Sequence, residues 1–242
     1  PLGAGDLHLP KNVTKDTPCL LLIHGGGWTE MNRRDVVGVA DYFSRDLGFA
    51  VYNIDYRLAT QEHPWPACGE DCVASAKFMF TEAFAHTAGV RPQKIWIAGA
   101  SAGGHLALWT GLSLPSDWVA GIVSISGIVD PMPDFSRNPE RYRALFGGQD
   151  PTAARLDAMN PLRLIRPNGP PVLLTHATGD KVVPIASART FEKAYRDAGN
   201  PVEFYEYPSE IELGLSGHSI WRSNGKPRRL ITALERTIAD FV

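Results

Sequence analysis

The sequence contains only three cysteines, too few for the disulfide framework that holds small secreted domains together. No apolar run approaches the roughly 18 residues of a membrane-spanning helix, so no membrane association is expected. Neither sign of charge is in excess, because 24 Lys and Arg residues stand against 26 Asp and Glu residues, a net charge of −2. That balance argues against a nucleic-acid-binding groove and against a helix lying on a membrane surface.

Signatures of a bound cofactor are also lacking. The histidines and cysteines show no metal-site spacing, and Gly103-Gly104 is not followed by the Lys and Ser or Thr of a phosphate-binding loop. We therefore expect neither a metal nor another cofactor. No repeats or low-complexity segments interrupt the 242 residues, of which 44% are hydrophobic, so we expect one globular domain over residues 1–242.

What the sequence does contain is an alternation of short apolar runs with helical patterns. The runs predicted to form strands are residues 19–24, 49–54, 94–99, 118–126, 171–176 and 202–207, and residues 6–9 are a candidate for an earlier strand. The helical patterns cover residues 35–47, 67–88, 102–112, 185–199 and 227–242. Continuous apolar strands that alternate with helices indicate a parallel sheet buried on both faces, hence a three-layer α/β fold.

One segment, residues 130–170, falls outside this alternation and is rich in Pro, Arg and Asp. We interpret it as an insertion between two strands that lies over the functional cleft. Ligands of parallel sheets bind beyond the carboxyl ends of the strands, so the chemistry is expected in the loops that follow the apolar runs.

The strongest chemical signal is Gly99-Ala-Ser101-Ala-Gly103, which lies between a predicted strand and a predicted helix. This is the G-x-S-x-G pattern of a nucleophile elbow. A sharp turn with Ser101 at its apex needs small residues two positions to either side, and it holds the serine in a strained, positive-φ conformation. Ser101 is therefore predicted to be a catalytic nucleophile.

A serine hydroxyl needs an adjacent base, and in elbow proteins the chain order is Ser, acid, His. His218 lies in a loop after the last strand, whereas His176 lies inside a strand, so His218 is the predicted base. Asp180, in the loop after the fifth of the six predicted strands, is the favoured acid, which orients the imidazole and stabilises its charged form. The alternative acids are Asp130, Glu206, Glu210 and Glu212.

Three consecutive glycines, Gly25 to Gly27, follow the first of the six predicted strands. Glycines let the backbone approach a ligand and turn its N–H groups toward it. The backbone N–H groups of Gly26, Gly27 and Ala102 are therefore predicted to form the oxyanion hole.

Together these residues resemble the α/β-hydrolase superfamily from about Leu20 to the end of the chain. The sequence looks most like the hormone-sensitive-lipase-like esterases and the small bacterial acetyl and feruloyl esterases. The resemblance implies a structural role for His24 and for the Asp-Tyr-Arg-Leu-Ala stretch, in which Asp55 and Arg57 are expected to pair. The motifs that carry it are His24-Gly-Gly-Gly-Trp28, Asp55-Tyr-Arg-Leu-Ala59, Glu62-His-Pro-Trp-Pro-Ala67, Gly99-Ala-Ser-Ala-Gly-Gly104 and Gly179-Asp-Lys-Val-Val-Pro184.

The sequence departs from the lipase-like pattern at its beginning. Only 23 residues precede His24, which is too few for the N-terminal cap of that family, so we expect a short insertion in place of a large cap and an open cleft. Loop tryptophans Trp28, Trp65 and Trp221 are predicted to contact the substrate. Because the chain starts at Pro1 rather than Met, we expect a processed or trimmed N-terminus and favour a secreted or periplasmic location.

The function predicted is that of a serine carboxylester hydrolase acting on short-chain acyl or aryl esters, including acetylated or feruloylated carbohydrates. One alternative is an aryl formamide hydrolase, since the sequence is also similar to kynurenine formamidases. The other is a non-catalytic binding protein with a hydrolase fold. The expected partner is a small-molecule or carbohydrate ester, and the sequence leaves the oligomeric state open.

Overall fold

A computed structural model describes residues 4–209, 217–218, 220–221 and 228–242. Its centre is a seven-stranded sheet of order β1-β3-β2-β4-β5-β6-β7, in which β1 is antiparallel to β3 and all other neighbours are parallel. The predicted, mostly parallel sheet is therefore confirmed. The strands are β1 (Gly5–His8), β2 (Cys19–Ile23), β3 (Ala50–Ile54), β4 (Ile95–Ala100), β5 (Val119–Ile125), β6 (Val172–Ala177) and β7 (Val202–Tyr207).

Strand β2 shows why its sequence is a continuous apolar run. Its alternate side chains point to opposite faces of the sheet, and all five residues are buried. Cys19, Leu21 and Ile23 join one hydrophobic cluster, while Leu20 and Leu22 join a second cluster on the other face. Helices cover both faces, which gives the predicted three layers.

The helices divide between these two faces. They are α1 (Val37–Asp41), α2 (Ala67–Phe78), α3 (Glu82–Ala88), α4 (Ala102–Ser113), α5 (Pro131–Arg137), α6 (Pro139–Leu145), α7 (Ala153–Ala158), α8 (Ala186–Asp197) and α9 (Thr232–Phe241). Helices α1 and α9 pack on the face of Leu20 and Leu22. Helices α2, α3, α4 and α8 pack on the face of Leu21. In the described part of the chain, no helix has the length and apolar character to cross a bilayer.

Two predicted helices differ from the structure. Residues 67–88 form two helices rather than one, because Thr81 adopts an extended conformation and its hydroxyl accepts a hydrogen bond from the N–H of Phe84, capping α3. The helical pattern of residues 35–47 becomes a 3-10 turn (Arg33–Val36), α1 and a π turn (Tyr42–Asp46). The predicted closing helix is shorter, and residues 222–227, which include its start, lie outside the described residues.

The insertion at residues 130–170 contains α5, α6, α7 and a 3-10 turn, and it is fixed to the sheet layer. Its side chains Tyr142 and Leu145 belong to the cluster that contains Leu21. The carbonyl of Met159 accepts a hydrogen bond from His105 Nε2 at 2.8 Å. The insertion and the sheet therefore share one core.

The expected pairing of Asp55 with Arg57 is wrong. The carboxylate of Asp55 binds the backbone N–H of Arg33 at 2.7 Å and the Arg33 guanidinium. Arg57 donates two hydrogen bonds, each 2.8 Å long, to the carboxylate of Asp71. Asp71 is only 2% exposed, and a buried carboxylate requires a cation with bidentate geometry, which Arg57 supplies.

Candidate active site

Ser101 lies at the sharp turn between β4 and α4. Its backbone has φ 57° and ψ −123°, which confirms the predicted strained conformation, and its N–H donates to the carbonyl of Ile125 at 2.8 Å. A Cβ on Gly99 would lie 2.2 Å from the carbonyl oxygen of Gly103, and one on Gly103 would lie 2.3 Å from that of Ile23. The turn therefore requires glycine on both sides of the serine.

His218 and Asp180 meet beyond the carboxyl ends of the neighbouring strands β6 and β7. His218 Nδ1 lies 2.6 Å from Asp180 Oδ2. Because a carboxylate only accepts, Nδ1 carries a proton and Nε2 of the neutral ring is left as the proton acceptor. Nε2 is buried and has no hydrogen-bond partner among the described residues, and His218 lines the same cleft as Ser101.

The carboxylate of Asp180 is held by several donors. Its Oδ1 accepts from the N–H groups of Val182 and Val183, both at 2.9 Å, and Oδ2 accepts from His218. Burial by itself raises the pKa of Asp180, but the hydrogen bonds from His176, His218 and Val183 outweigh it and lower the pKa below its usual range. The acid therefore stays ionised next to His218.

His176 is a feature of the site that the sequence analysis missed. Its Nε2 donates to the carbonyl of Val183 at 2.7 Å, so that nitrogen carries the proton, and it also lies 3.4 Å from Asp180 Oδ2. The side chain is 1% exposed. The signal that could have found it is the spacing of four residues between His176 and Asp180 across the end of β6.

The alternative acids in the described part of the chain are engaged elsewhere. Asp130 Oδ1 caps α5 by accepting from the N–H of Met132 and also accepts from Asn160, both at 3.2 Å. Glu206 forms a bidentate ion pair with Arg189, with bonds of 2.7 and 2.6 Å. Asp130 and Glu206 are therefore not the partner of His218, whose Nδ1 is bound to Asp180. Glu210 and Glu212 lie outside the described residues.

The glycine loop after β2 faces the cleft with Ser101. Gly26 has φ 95° and Gly27 has φ 59°, and both line the cleft. A Cβ on Gly26 would lie 2.1 Å from the carbonyl oxygen of Glu30, so the tight loop requires glycine there. Ala102 is the first residue of α4, where a backbone N–H has no partner within the helix.

His24 supports this loop from beneath. Its ring stacks on Tyr56 with 4.1 Å between centroids, and its Nδ1 lies 2.8 Å from the carbonyl oxygen of Gly25. The Tyr56 hydroxyl donates to the same carbonyl at 3.0 Å. His24 is 1% exposed, and burial lowers its pKa. These contacts fit the structural role that the resemblance implies.

The structure brings one of the three predicted tryptophans to the cleft. Trp221 lines it with Ser101 and His218. The prediction for Trp28 is wrong, because its side chain is 0% exposed and its Nε1 donates to His105 Nδ1 at 3.3 Å. The prediction for Trp65 is also wrong, because that ring is buried against Trp109 and borders a separate depression.

The cleft itself has a volume of about 350 Å³. Its floor is the nucleophile turn and the glycine loop, and its walls are mainly apolar. The described residues that line it are Gly25, Gly26, Gly27, Met31, Ser101, Ile128, Arg141, Val182, His218, Trp221 and Arg228. No group of His, Cys, Asp and Glu in the described residues has the geometry of a metal site.

Comparisons with known sequences match residues 5–195 to the family described as BD-FAE. Esterase LipC of Mycobacterium tuberculosis is 29% identical over 226 residues, which cover 85% of this chain and 53% of LipC. Carboxylic ester hydrolase LipN of the same organism is 40% identical over 96 residues, which cover 38% of this chain and 24% of LipN. The chain thus spans about half or less of these relatives.

Solved structures resemble this chain over most of its length. An acetyl ester-xyloside bifunctional hydrolase from Caldicellulosiruptor lactoaceticus has a TM-score of 0.74 at 22% identity, over 86% of this chain and 78% of that one. A bacterial heroin esterase has a TM-score of 0.70 at 26% identity, over 84% of this chain and 69% of that one. Because its identity is only 22%, the likeness to the hydrolase from Caldicellulosiruptor lactoaceticus supports the fold alone.

Proposed function

The chain belongs to the BD-FAE family and has the α/β-hydrolase fold, and we propose that it is a serine carboxylester hydrolase. The observation that carries this proposal is the arrangement of the cleft. His218 is bound to an ionised Asp180 through Nδ1, and its Nε2, which has no hydrogen-bond partner among the described residues, lies in the same cleft as Ser101 on its strained turn. The esterase relatives LipC and LipN agree with the same reaction class.

The proposed reaction begins with attack of Ser101 Oγ on the ester carbonyl carbon. His218 Nε2 takes the hydroxyl proton as the bond forms, and Asp180 stabilises the resulting imidazolium through Nδ1. The tetrahedral intermediate collapses when the C–O bond to the alcohol breaks and His218 returns the proton to the departing oxygen. A water molecule, deprotonated by His218, then hydrolyses the acyl-enzyme and regenerates Ser101.

Negative charge on the carbonyl oxygen is stabilised by backbone donors in this proposal. The N–H of Ala102 begins α4, and the N–H groups of Gly26 and Gly27 belong to the loop that faces Ser101. One such donor contributes roughly 3–4 kcal/mol to the transition state, because it is already in place before the charge develops. The support of Gly25 by His24 and Tyr56 fixes the loop for this role.

The proposed substrates are short-chain acyl or aryl esters, among them acetylated or feruloylated carbohydrates. The cleft volume of about 350 Å³ suits a small acyl group with part of a sugar or aryl ring. Met31, Ile128 and Trp221 provide apolar and aromatic surface in its walls.

A substrate panel tests the proposal. We expect 4-nitrophenyl acetate, methyl ferulate and acetylated xylan to be hydrolysed in the presence of the protein, and short 4-nitrophenyl esters to be turned over faster than long ones. N-formylkynurenine is the comparison that separates ester from formamide hydrolysis. A kcat/KM higher for N-formylkynurenine than for every ester would replace this proposal with the formamidase alternative, and absence of all turnover would favour the non-catalytic one.

A further inference from the structure

The formally charged side chains among the described residues of the cleft have one sign. Among the described residues that line it, the formally charged ones are Arg141 and Arg228, and no described Asp or Glu shares the lining. The remaining walls are glycine or apolar residues, apart from Ser101 and His218. A cleft with low-dielectric walls and cationic groups attracts anions.

The guanidinium of Arg141 is held in place by an ion pair within the insertion. It lies on α6, and its Nη1 donates to Asp134 Oδ2 at 3.0 Å. Asp134 is 5% exposed and also accepts a hydrogen bond from Asn138 at 3.1 Å, so the ion pair is anchored within the insertion. The pair fixes one end of the guanidinium while Arg141 still borders the cleft.

Arg228 lacks such a partner in the part of the chain that the structure describes. Its guanidinium carbon lies 5.4 Å from the ring centroid of Trp221, and its Nε is buried and has no hydrogen-bond partner among the described residues. Its backbone N–H donates to the carbonyl of Asp35 at 3.3 Å, which fixes where the side chain begins. Stacking on an aromatic ring orients a guanidinium but does not satisfy its N–H groups.

Two other partly buried guanidinium groups have acceptors within the described fold. Arg57 binds the carboxylate of Asp71, and Arg166 donates to the carbonyls of Leu112 and Leu114. Arg228 lines the cleft and has a buried Nε without a hydrogen-bond partner among the described residues, so its guanidinium can donate to a bound ligand. A carboxylate is the acceptor that fits its planar, forked donors.

We propose that the substrate is an ester that also carries a carboxylate, which Arg228 and Arg141 bind while the ester carbonyl lies at Ser101. This inference rests on the proposed esterase function and narrows its substrate class. The carboxylate belongs either to the acyl group, as in a dicarboxylate half-ester, or to the alcohol, as in a hydroxyaryl or sugar acid. The arginines select the substrate, and the chemistry at Ser101 is unchanged.

Two matched pairs of esters test this inference. The acyl pair is mono-4-nitrophenyl glutarate against 4-nitrophenyl hexanoate, and the alcohol pair is 4-acetoxybenzoate against its methyl ester. We expect kcat/KM to favour the anionic member of at least one pair by tenfold or more, and the pair that shows it locates the carboxylate. The preference should decline as salt is raised, because ions screen the attraction. Ser101→Ala supplies the uncatalysed background for each ester.

Arg228→Gln is the variant that assigns the preference to a residue. We expect its anionic-to-neutral ratio of kcat/KM to fall about tenfold, toward parity. The matched control is Arg45→Gln, which removes a charge from an exposed side chain of the π turn and should retain the ratio of the unmodified protein. Thermal melting of both variants verifies that they are folded.

Three results would overturn the inference. Equal kcat/KM for both members of both pairs would mean that the cleft does not select anions. Equal losses on anionic and neutral esters in Arg228→Gln would mean that Arg228 supports the loop and does not bind substrate. Absence of Ser101-dependent hydrolysis for all four esters would overturn the esterase proposal as well, so the two failures are distinguishable.

Discussion

Ser101→Ala is expected to lower kcat for 4-nitrophenyl acetate by about 10⁴-fold or more. The substitution removes the only atom that forms the acyl-enzyme in the proposed reaction, while Ala is small enough for the turn between Gly99 and Gly103. His218, Asp180 and the glycine loop remain, so the residual rate measures what they contribute without a nucleophile. Initial rates of 4-nitrophenolate release give the comparison.

Ser126→Ala is the matched control for that experiment. Like Ser101, Ser126 is a serine with a positive φ, 47°; it is buried and lies directly after the neighbouring strand β5. Its hydroxyl has no hydrogen-bond partner among the described residues, and it does not line the cleft. We expect activity within twofold of the unmodified protein. Activity of Ser101→Ala within tenfold of that level would contradict the proposed nucleophile.

Asp180→Asn is expected to lower kcat by about 10⁴-fold, the loss known for the same change in a serine-protease triad. The Asn carbonyl oxygen can still accept from the N–H groups of Val182 and Val183, which turns its NH₂ group toward His218. His218 Nδ1 must then accept, so Nε2 carries the proton and no longer acts as a base. The measurement is kcat for 4-nitrophenyl acetate at neutral pH.

Asp130→Asn is the control for the acid, because Asp130 is one of the alternative acids in the sequence and also follows a strand. An Asn carbonyl can keep the cap on α5 by accepting from the N–H of Met132. We expect kcat within about threefold of the unmodified protein. A larger loss in Asp130→Asn than in Asp180→Asn would reverse the assignment of the acid.

Elements that a local sequence pattern determines agree with their predictions. Strand β7 has the predicted bounds, 202–207, and the other predicted strands differ by one or two residues at their ends. The positive φ of Ser101 follows from a pattern that leaves the turn no other conformation. His218 and Asp180 could be paired because parallel strands end at one edge of the sheet, which brings the loops after β6 and β7 together.

The direction of a side chain could not be predicted where it depends on packing against residues distant in the sequence. Trp28 and Trp65 are loop tryptophans that the sequence predicts to contact the substrate, yet both rings are buried: Trp28 contacts His105, and Trp65 contacts His105 and Trp109. Nothing near Trp28 in the sequence reports His105, which is 77 residues away. A residue that is close to the site in the sequence therefore does not necessarily contact the substrate.

The partners of two charged or polar side chains were also predicted wrongly. The sequence predicts an ion pair between Arg57 and its neighbour Asp55. Arg57 pairs instead with Asp71 on α2, whose carboxylate is buried and therefore has the greater need of a cation. His176 was set aside because it lies within a strand, although that strand ends beside Asp180. In both cases the partner is a carboxylate on another segment of the chain, Asp71 or Asp180, and its need for a donor determines the contact.

Covalent labelling with a fluorophosphonate tests the central claim, that Ser101 is an activated nucleophile, most directly. We predict one adduct per chain, located by mass spectrometry of the digested protein on the peptide that contains Ser101. Labelling should be strongly slowed in His218→Ala, which lacks the base. A folded protein that acquires no adduct, or acquires it on a different serine, would contradict the account.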